Sequence, residues 1–298
     1  AINYTDNYND GNLAVCQNIS SKRYPYFTTR NEREKVTGAW AEGCTAIAHW
    51  NELVTVSGTH LYYDGRLVGE VSAGEKQFAT INTKLVIFPD KVYLDLNNMS
   101  VSPLGASVTG TDILFTRNSI RVNGNNLSTK FVAGDTVTIS GCTTEPNNNI
   151  TFTIKTVSDT LITVNAEIFK ACTERGTVTI ERKIPDLDYI CEAENRLWGC
   201  SNADKTIYCS SLGDPTNFYT YTGLSTDAFA VAVGSEGIFT GCAKLQTSVL
   251  FFKENSVHKV LGSYPAEYQV YTYKLDGVRD GCYRSIIEIN GTLFYMGM

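Results

Sequence analysis

Short apolar runs separated by Gly, Asn and Asp turns fill most of the chain, and helical periodicity is almost absent. Such runs, bounded by turn residues, are typical of β-strands. Asp64-Gly65 lies between two of them and predicts a tight hairpin, because both central residues of that turn need positive φ. Residues 44–71 contain four such runs, which is about the size of one β-propeller blade.

The same rhythm recurs in two parts of the chain and predicts its organisation. Residues 36–104 and 184–298 are predicted to form propeller blades, preceded by a polar N-terminal arm at residues 1–35. Residues 105–183 carry their own set of strands and predict an inserted β-domain. The predicted fold is therefore all-β, an incomplete β-propeller with an inserted small β-barrel or β-sandwich domain. Because the last apolar run stops without a closing turn, we expect the gene product to continue beyond Met298.

Composition and charge argue against several classes of protein. The chain has 298 residues, of which 43% are hydrophobic and 19% are charged, so a packed core is expected rather than disorder. The net charge of −6 argues against a protein that binds nucleic acid by neutralising phosphates. No apolar run approaches the length of a membrane span. The nine cysteines include no C-x-x-C pair, which favours reduced, buried thiols over a disulfide framework or a metal site.

No catalytic signature of comparable clarity is present. The sequence contains three histidines, each of which is interpreted as a structural residue of a strand or turn: His49, His60 and His258. No G-x-S-x-G nucleophile elbow, H-E-x-x-H zinc motif or P-loop occurs. Two pairs of carboxylates are spaced i, i+2: Asp186 with Asp188 and Glu192 with Glu194. Such pairs could catalyse glycoside hydrolysis, but they are more typical of solvated strand edges. The sequence therefore predicts a protein that is not an enzyme and has no cofactor or metal.

Tyrosines form the most suggestive surface feature of the sequence. Tyr219 and Tyr221 lie close together in Phe218-Tyr219-Thr220-Tyr221. A tyrosine combines an apolar ring with a polar tip, so such a pair can anchor a protein interface or stack on a sugar. Ordinary packing of residues with high β-propensity is the plain alternative, and the sequence leaves the choice open.

One segment resembles a known family. The run Asn195-Arg196-Leu197-Trp198 leads through a predicted strand to Gly213-Asp214-Pro215-Thr216-Asn217-Phe218. This pattern is similar to the blade of bacteriophage tail nozzle, stem and hub propellers, including those of podovirus type, in which an inner strand is followed by a G-D-P-x-N-F turn. In such a turn Pro215 would fix φ, Asp214 would cap the backbone and Phe218 would pack against the blade. The opening Cys16-Gln17-Asn18-Ile19-Ser20 and the later Ser256-Val257-His258-Lys259-Val260 also resemble this family.

The resemblance implies a structural virion protein. Members form rings, commonly hexameric, that extend the genome exit channel and bind neighbouring tail or portal-proximal proteins. It also implies assembly in the host cytoplasm, DNA that passes without specific binding, no membrane partner and no catalytic residue. Two alternatives remain open: a carbohydrate-binding or glycoside-hydrolysing β-propeller that uses the tyrosines for receptor binding, and an intracellular scaffold propeller.

Overall fold

The fold is described here by a computed structural model covering residues 19–23, 26–29, 38–124 and 126–297. These described residues form β-strands and four short 3₁₀ helices and contain no α-helix. Most of the predicted N-terminal arm lies outside them, and its described part is a two-stranded hairpin of β1 (Ile19–Arg23) and β2 (Tyr26–Thr29). None of the described helices is long and apolar enough to span a bilayer.

The first two blades are four-stranded antiparallel meanders, in which each strand pairs with its neighbours in sequence. Asp64 and Gly65 take φ values of 49° and 72°, which is the backbone geometry that the Asp-Gly turn predicts. The first blade comprises β3 (Cys44–Trp50), β4 (Glu52–Ser57), β5 (His60–Tyr63) and β6 (Arg66–Glu70). The second comprises β7 (Gln77–Ile81), β8 (Lys84–Phe88), β9 (Val92–Asp95) and β10 (Ser100–Pro103).

The inserted segment folds as two facing sheets around a core of its own. One sheet has the order β11-β19-β14-β15 and the other β16-β17-β13-β12-β18. Their inward side chains, such as Val137, Ile180 and Phe115, form one buried cluster confined to this segment, which makes the insert a β-sandwich. The strands are β11 (Ala106–Gly110), β12 (Ile113–Phe115), β13 (Ser119–Arg121), β14 (Thr136–Ser140), β15 (Thr151–Thr153), β16 (Thr156–Val157), β17 (Leu161–Thr163), β18 (Cys172–Glu174) and β19 (Val178–Arg182).

Two further blades follow the insert, and the described chain then continues into a hairpin. Each of these blades again has four antiparallel strands in sequence order. The third blade comprises β20 (Tyr189–Ala193), β21 (Arg196–Ser201), β22 (Thr206–Cys209) and β23 (Phe229–Ala232). The fourth comprises β24 (Phe239–Leu245), β25 (Ser248–Lys253), β26 (Ser256–Leu261) and β27 (Gln269–Tyr273). The hairpin pairs β28 (Ile287–Ile289) with β29 (Thr292–Phe294).

Successive blades pack face to face, with their first strands adjacent. One apolar cluster joins the first and second blades, a second joins the second and third, and a third joins the third and fourth. Strand β7 lies against β3 and β20, and β20 lies against β24. This radial order of four-stranded meanders confirms the predicted fold class, an all-β fold of β-propeller type with an inserted β-sandwich.

Candidate functional site: the junction of the third blade and the insert

Arg196 of β21 ties the third blade together from inside. Its side chain is 2% exposed, and its guanidinium donates to three backbone carbonyl oxygens. One N–H group reaches Ser210 O over 2.9 Å, and others reach the carbonyls of Ser225 and Asp227. Arginine can do this because its fork of donors is planar and permanently charged. The strand and the long segment after β22 are therefore held as one unit.

The turn after β22 is organised by Asp214. Its carboxylate accepts hydrogen bonds from the Thr216 backbone N–H over 2.9 Å and from the Asn217 side-chain amide over 2.6 Å. Gly213 takes φ +72°, and its N–H donates to Asn195 O over 2.8 Å. Phe218 is fully buried in the core between the second and third blades. Leu197, Trp198 and Pro215 are buried as well, so the segments of the motif form one compact structural unit.

Asn217 extends this turn to the inserted domain, a contact that the sequence did not predict. Its Oδ1 accepts the backbone N–H of Thr136, the first residue of β14, over 3.0 Å. Beside it, the hydroxyls of Thr136 and Thr220 lie 2.7 Å apart. Asn217 and Thr136 are both buried, so loss of this hydrogen bond would leave the Thr136 N–H without a hydrogen-bond partner from the protein or from water. The blade turn is thus a docking point for the insert.

The two chain segments that link the propeller to the insert are hydrogen-bonded to each other. Arg182, at the end of β19, donates to Leu104 O through Nε and Nη2 over 3.1 and 3.0 Å. Its Nη1 forms an ion pair with the buried carboxylate of Asp135 at 2.5 Å. Lys91 of the second blade reaches Ile184 O and the carboxylate of Asp186. These contacts fix the insert relative to the second and third blades.

A cleft of about 540 Å³ lies where the second blade, the insert and the third-blade turn meet. Its walls include Lys84, Tyr93, Lys130, Arg182 and Asp214, together with several serine and threonine hydroxyls. Lys84 lies over the Tyr93 ring with its ammonium 4.9 Å from the centroid, a cation–π arrangement. Clefts between domains are frequent ligand sites, although this one carries no set of groups that defines a reaction.

The two predicted interface tyrosines differ in their surroundings. Tyr219 is half-buried and packs edge-on against Tyr208 with ring centroids 6.2 Å apart. Tyr221 is 58% exposed, and its hydroxyl donates to Phe218 O over 3.0 Å. The segment that follows is held by the buried Asp227, whose carboxylate accepts the backbone N–H groups of Thr222, Gly223 and Leu224. Only Tyr221 therefore presents an exposed ring.

The carboxylates considered for hydrolysis are occupied by local contacts. Asp186 pairs with Lys91, and the carboxylate of Asp188 accepts the Asn202 N–H over 2.7 Å. The carboxylate of Glu192 accepts the Asn195 N–H over 2.9 Å. Glu194 faces Lys244 at 3.9 Å. Within the described ranges, no group of three or more His, Cys, Asp and Glu side chains is placed to hold a metal ion.

The described cysteines are free thiols. Cys200 and Cys209 are buried in the core between the third and fourth blades, and burial raises the pKa of both thiols well above the usual value. A thiol held protonated in this way is a poor nucleophile and a poor metal ligand. These two cysteines act as small core residues.

No family model and no curated protein matches the sequence. Among solved structures, the chain matches the crystal structure of BBS1N in complex with ARL6DN, soaked with mercury, with 10% identity and a TM-score of 0.29. The match covers 82% of this chain and spans about half (54%) of that chain's length. At this level the similarity supports no conclusion about function.

Proposed function

We propose that this chain is a structural protein of a tailed-bacteriophage virion, a ring-forming nozzle, stem or hub component of the tail. The observation that carries the proposal is the blade motif from Asn195 to Phe218. Its residues resemble those of that family, and in the fold they form a compact, largely buried unit that contacts the insert through Asn217. A rigid blade with an inserted domain in a fixed orientation suits a tail component that must keep its shape while the genome is ejected.

The charge distribution supports a passive channel wall. The whole chain carries −6, whereas the segment 105–183 contains eight Lys or Arg and seven Asp or Glu residues, a net +1. The propeller segments and the arm together therefore carry −7. A surface of this sign repels phosphate groups, so genome ejection would proceed past it without specific binding of DNA.

In this proposal the partners are further copies of the chain, in a ring of the kind that is commonly hexameric in that family, and neighbouring tail or portal-proximal proteins. The insert and the N-terminal arm would supply the contacts between neighbours. This structural role would require neither catalysis nor a cofactor, and the protein would be located in the virion.

Negative-stain electron microscopy of the full gene product, with the molar mass measured on the same sample, tests the ring. Closed rings with a central channel are expected, alone or after addition of the portal protein as a template. Monomers under both conditions would overturn the proposal. A variant in which residues 105–183 are replaced by a short Gly-Ser linker then tests the insert, because the Arg182–Leu104 bonds show that the two ends are adjacent. Unchanged rings would remove the insert from assembly.

A carbohydrate-binding propeller is the second candidate, and the exposure of Tyr221 favours it. This ring borders a pocket of about 380 Å³ together with Leu224, Phe229 and Pro265, an apolar platform of the kind that sugars stack on. Glycan-array binding by a monomer, lost in Tyr221→Ala and kept in Tyr271→Ala, would establish it. Tyr271 is a suitable control because it is also exposed but lies outside this pocket.

A further inference from the structure

Three side chains form a hydrogen-bonded chain where the third blade leads into the fourth. Ser235 lies in the turn between β23 and β24, and its Oγ is 2.8 Å from Nε2 of His258. The other ring nitrogen, Nδ1, is 2.9 Å from the Thr272 hydroxyl. His258 and Thr272 are directly opposite each other on β26 and β27, so strand pairing fixes this part of the chain. The imidazole is 1% exposed and cannot rotate freely among its neighbours.

The arrangement fits one assignment of protons. If Nδ1–H donates to Thr272 Oγ1, the lone pair of Nε2 faces Ser235 and accepts its hydroxyl proton. A hydroxyl bonded to a base that is itself oriented by a third group is the geometric pattern of an activated nucleophile. The serine, the histidine and the threonine come from three separate segments of the chain.

Ser235 opens onto a cavity of about 660 Å³, and this separates the cluster from an ordinary buried histidine. Its walls include Gly234, Glu236, Glu254, Thr272 and Lys274. Ser235 lines this cavity, whereas the buried His258 does not. The polar walls suit a small ester of a polar alcohol.

Groups that could stabilise a developing negative charge lie in the same turn. Among the described residues, the backbone N–H groups of Ser235, Glu236 and Gly237 donate to no protein acceptor. The buried ammonium of Lys253 donates to Ser235 O over 2.8 Å and lies 4.8 Å from the Phe239 ring centroid. No described carboxylate is within ion-pair distance of Lys253, so its charge contributes a positive potential behind the serine.

The same environment sets the protonation of the base. Burial, and then the charge of Lys253, lower the pKa of His258 to about 4. The imidazole is therefore neutral and able to accept a proton from neutral pH down to mildly acidic pH. A base of this pKa is weak, so slow turnover is expected.

We propose that Ser235 is the nucleophile of an ester-hydrolysing site, with His258 as its general base and Thr272 as a positioning residue. This activity goes beyond the proposed structural role, which requires no chemistry. Ser235 Oγ attacks the ester carbonyl carbon, and its proton moves to Nε2 of His258. The bond to the alcohol oxygen breaks, and the imidazolium returns the proton to that oxygen. Water then cleaves the acyl-serine, releasing the carboxylic acid and restoring Ser235.

A fluorophosphonate probe and p-nitrophenyl acetate test the proposal on the full chain. The probe is expected to label Ser235, as located by mass spectrometry of the digested protein. Ser235→Ala should lose both labelling and ester hydrolysis, and His258→Gln should slow both by about 100-fold or more. Thr272→Val should lower kcat, and Thr272→Ser, which keeps the hydroxyl that bonds Nδ1, should restore it. Ser248→Ala is the control, because its hydroxyl bonds Leu245 O in the same blade away from the cavity.

Absence of labelling at Ser235 in the wild-type chain would overturn the proposal, as would hydrolysis that survives Ser235→Ala. Either result stands even if His258→Gln fails to fold, because neither depends on that variant. Both readouts are independent of ring formation, so failure here leaves the proposed tail function unaffected.

Discussion

Asn217 joins two parts of the protein that are 81 residues apart in sequence, because its Oδ1 accepts the backbone N–H of Thr136 over 3.0 Å. The amide of the same side chain donates to Asp214 Oδ2 over 2.6 Å. One buried residue thus completes the turn of the third blade and holds the first residue of an insert strand. The blade motif is in this way coupled to the orientation of the inserted domain.

Asn217→Ala should weaken that coupling. The substitution leaves the Thr136 N–H without an acceptor and removes one donor from Asp214, which should lower the free energy of unfolding by about 1–3 kcal/mol. Urea unfolding measures the loss, and hydrogen exchange at Thr136 should accelerate. Asn97→Ala is the matched control, since the exposed Asn97 side chain donates to Thr83 Oγ1 within the second blade and does not touch the insert. Unchanged exchange at Thr136 would show that Asn217 does not hold the insert.

Arg196→Lys should destabilise the third blade although the charge is kept. A lysine ammonium cannot reach three carbonyl oxygens that a planar guanidinium bridges. Each lost hydrogen bond to a charged group contributes about 1.5–3 kcal/mol, so the melting temperature should fall clearly. Arg121→Lys on the exposed side of β13 serves as the control. Equal melting temperatures for the two variants would contradict the role given to Arg196.

Much of the fold could be predicted because local pattern decides it. Alternating apolar residues and the Asp64-Gly65 turn predict hairpins from neighbouring residues alone, and the described sheets pair strands largely in sequence order outside the insert. The Asn217–Thr136 and Arg182–Asp135 contacts could not be predicted this way. They join polar groups far apart in sequence, and no periodicity indicates which loops meet.

The site residues show the same limit. The sequence pattern does not distinguish Tyr219 from Tyr221. In the fold, Tyr219 is half-buried because it packs against Tyr208, whereas Tyr221 is exposed. His258 reads from sequence as an isolated strand histidine. Its contact with Ser235 depends on how the third blade leads into the fourth, and no local signal carries that information.

Glu174→Gln should destabilise the insert at neutral pH. Burial would raise the pKa of the Glu174 carboxyl, but hydrogen bonds from the Glu145, Thr144 and Thr143 backbones outweigh it and hold the pKa below its usual value. A lowered pKa stabilises the fold above the unfolded value of about 4.3, and this contribution is lost as pH falls through the folded pKa. The stability difference between wild type and variant should therefore shrink below about pH 4.

The control for Glu174 is Glu167→Gln, because Glu167 pairs with Arg117 at 3.3 Å and both side chains are largely exposed. Exposed ion pairs contribute about 0–1 kcal/mol, so this variant should unfold nearly as the wild type does. Urea unfolding of both variants at pH 7 and pH 3.5 makes the comparison. A pH-independent loss in Glu174→Gln would indicate that packing, rather than the ionised carboxylate, stabilises the loop.

His258 should make the protein less stable under mildly acidic conditions. Its pKa is about 4 in the fold and about 6.5 when unfolded, because burial and Lys253 disfavour the imidazolium. The neutral imidazole therefore stabilises the fold fully above about pH 6.5, and this contribution is lost as pH falls toward 4. His258→Gln lacks the titrating group and should show a smaller loss of unfolding free energy between pH 7 and pH 4.5. His49→Gln, at an exposed position of β3, serves as the control. Equal slopes for wild type and His258→Gln would mean that folding does not shift the pKa of His258.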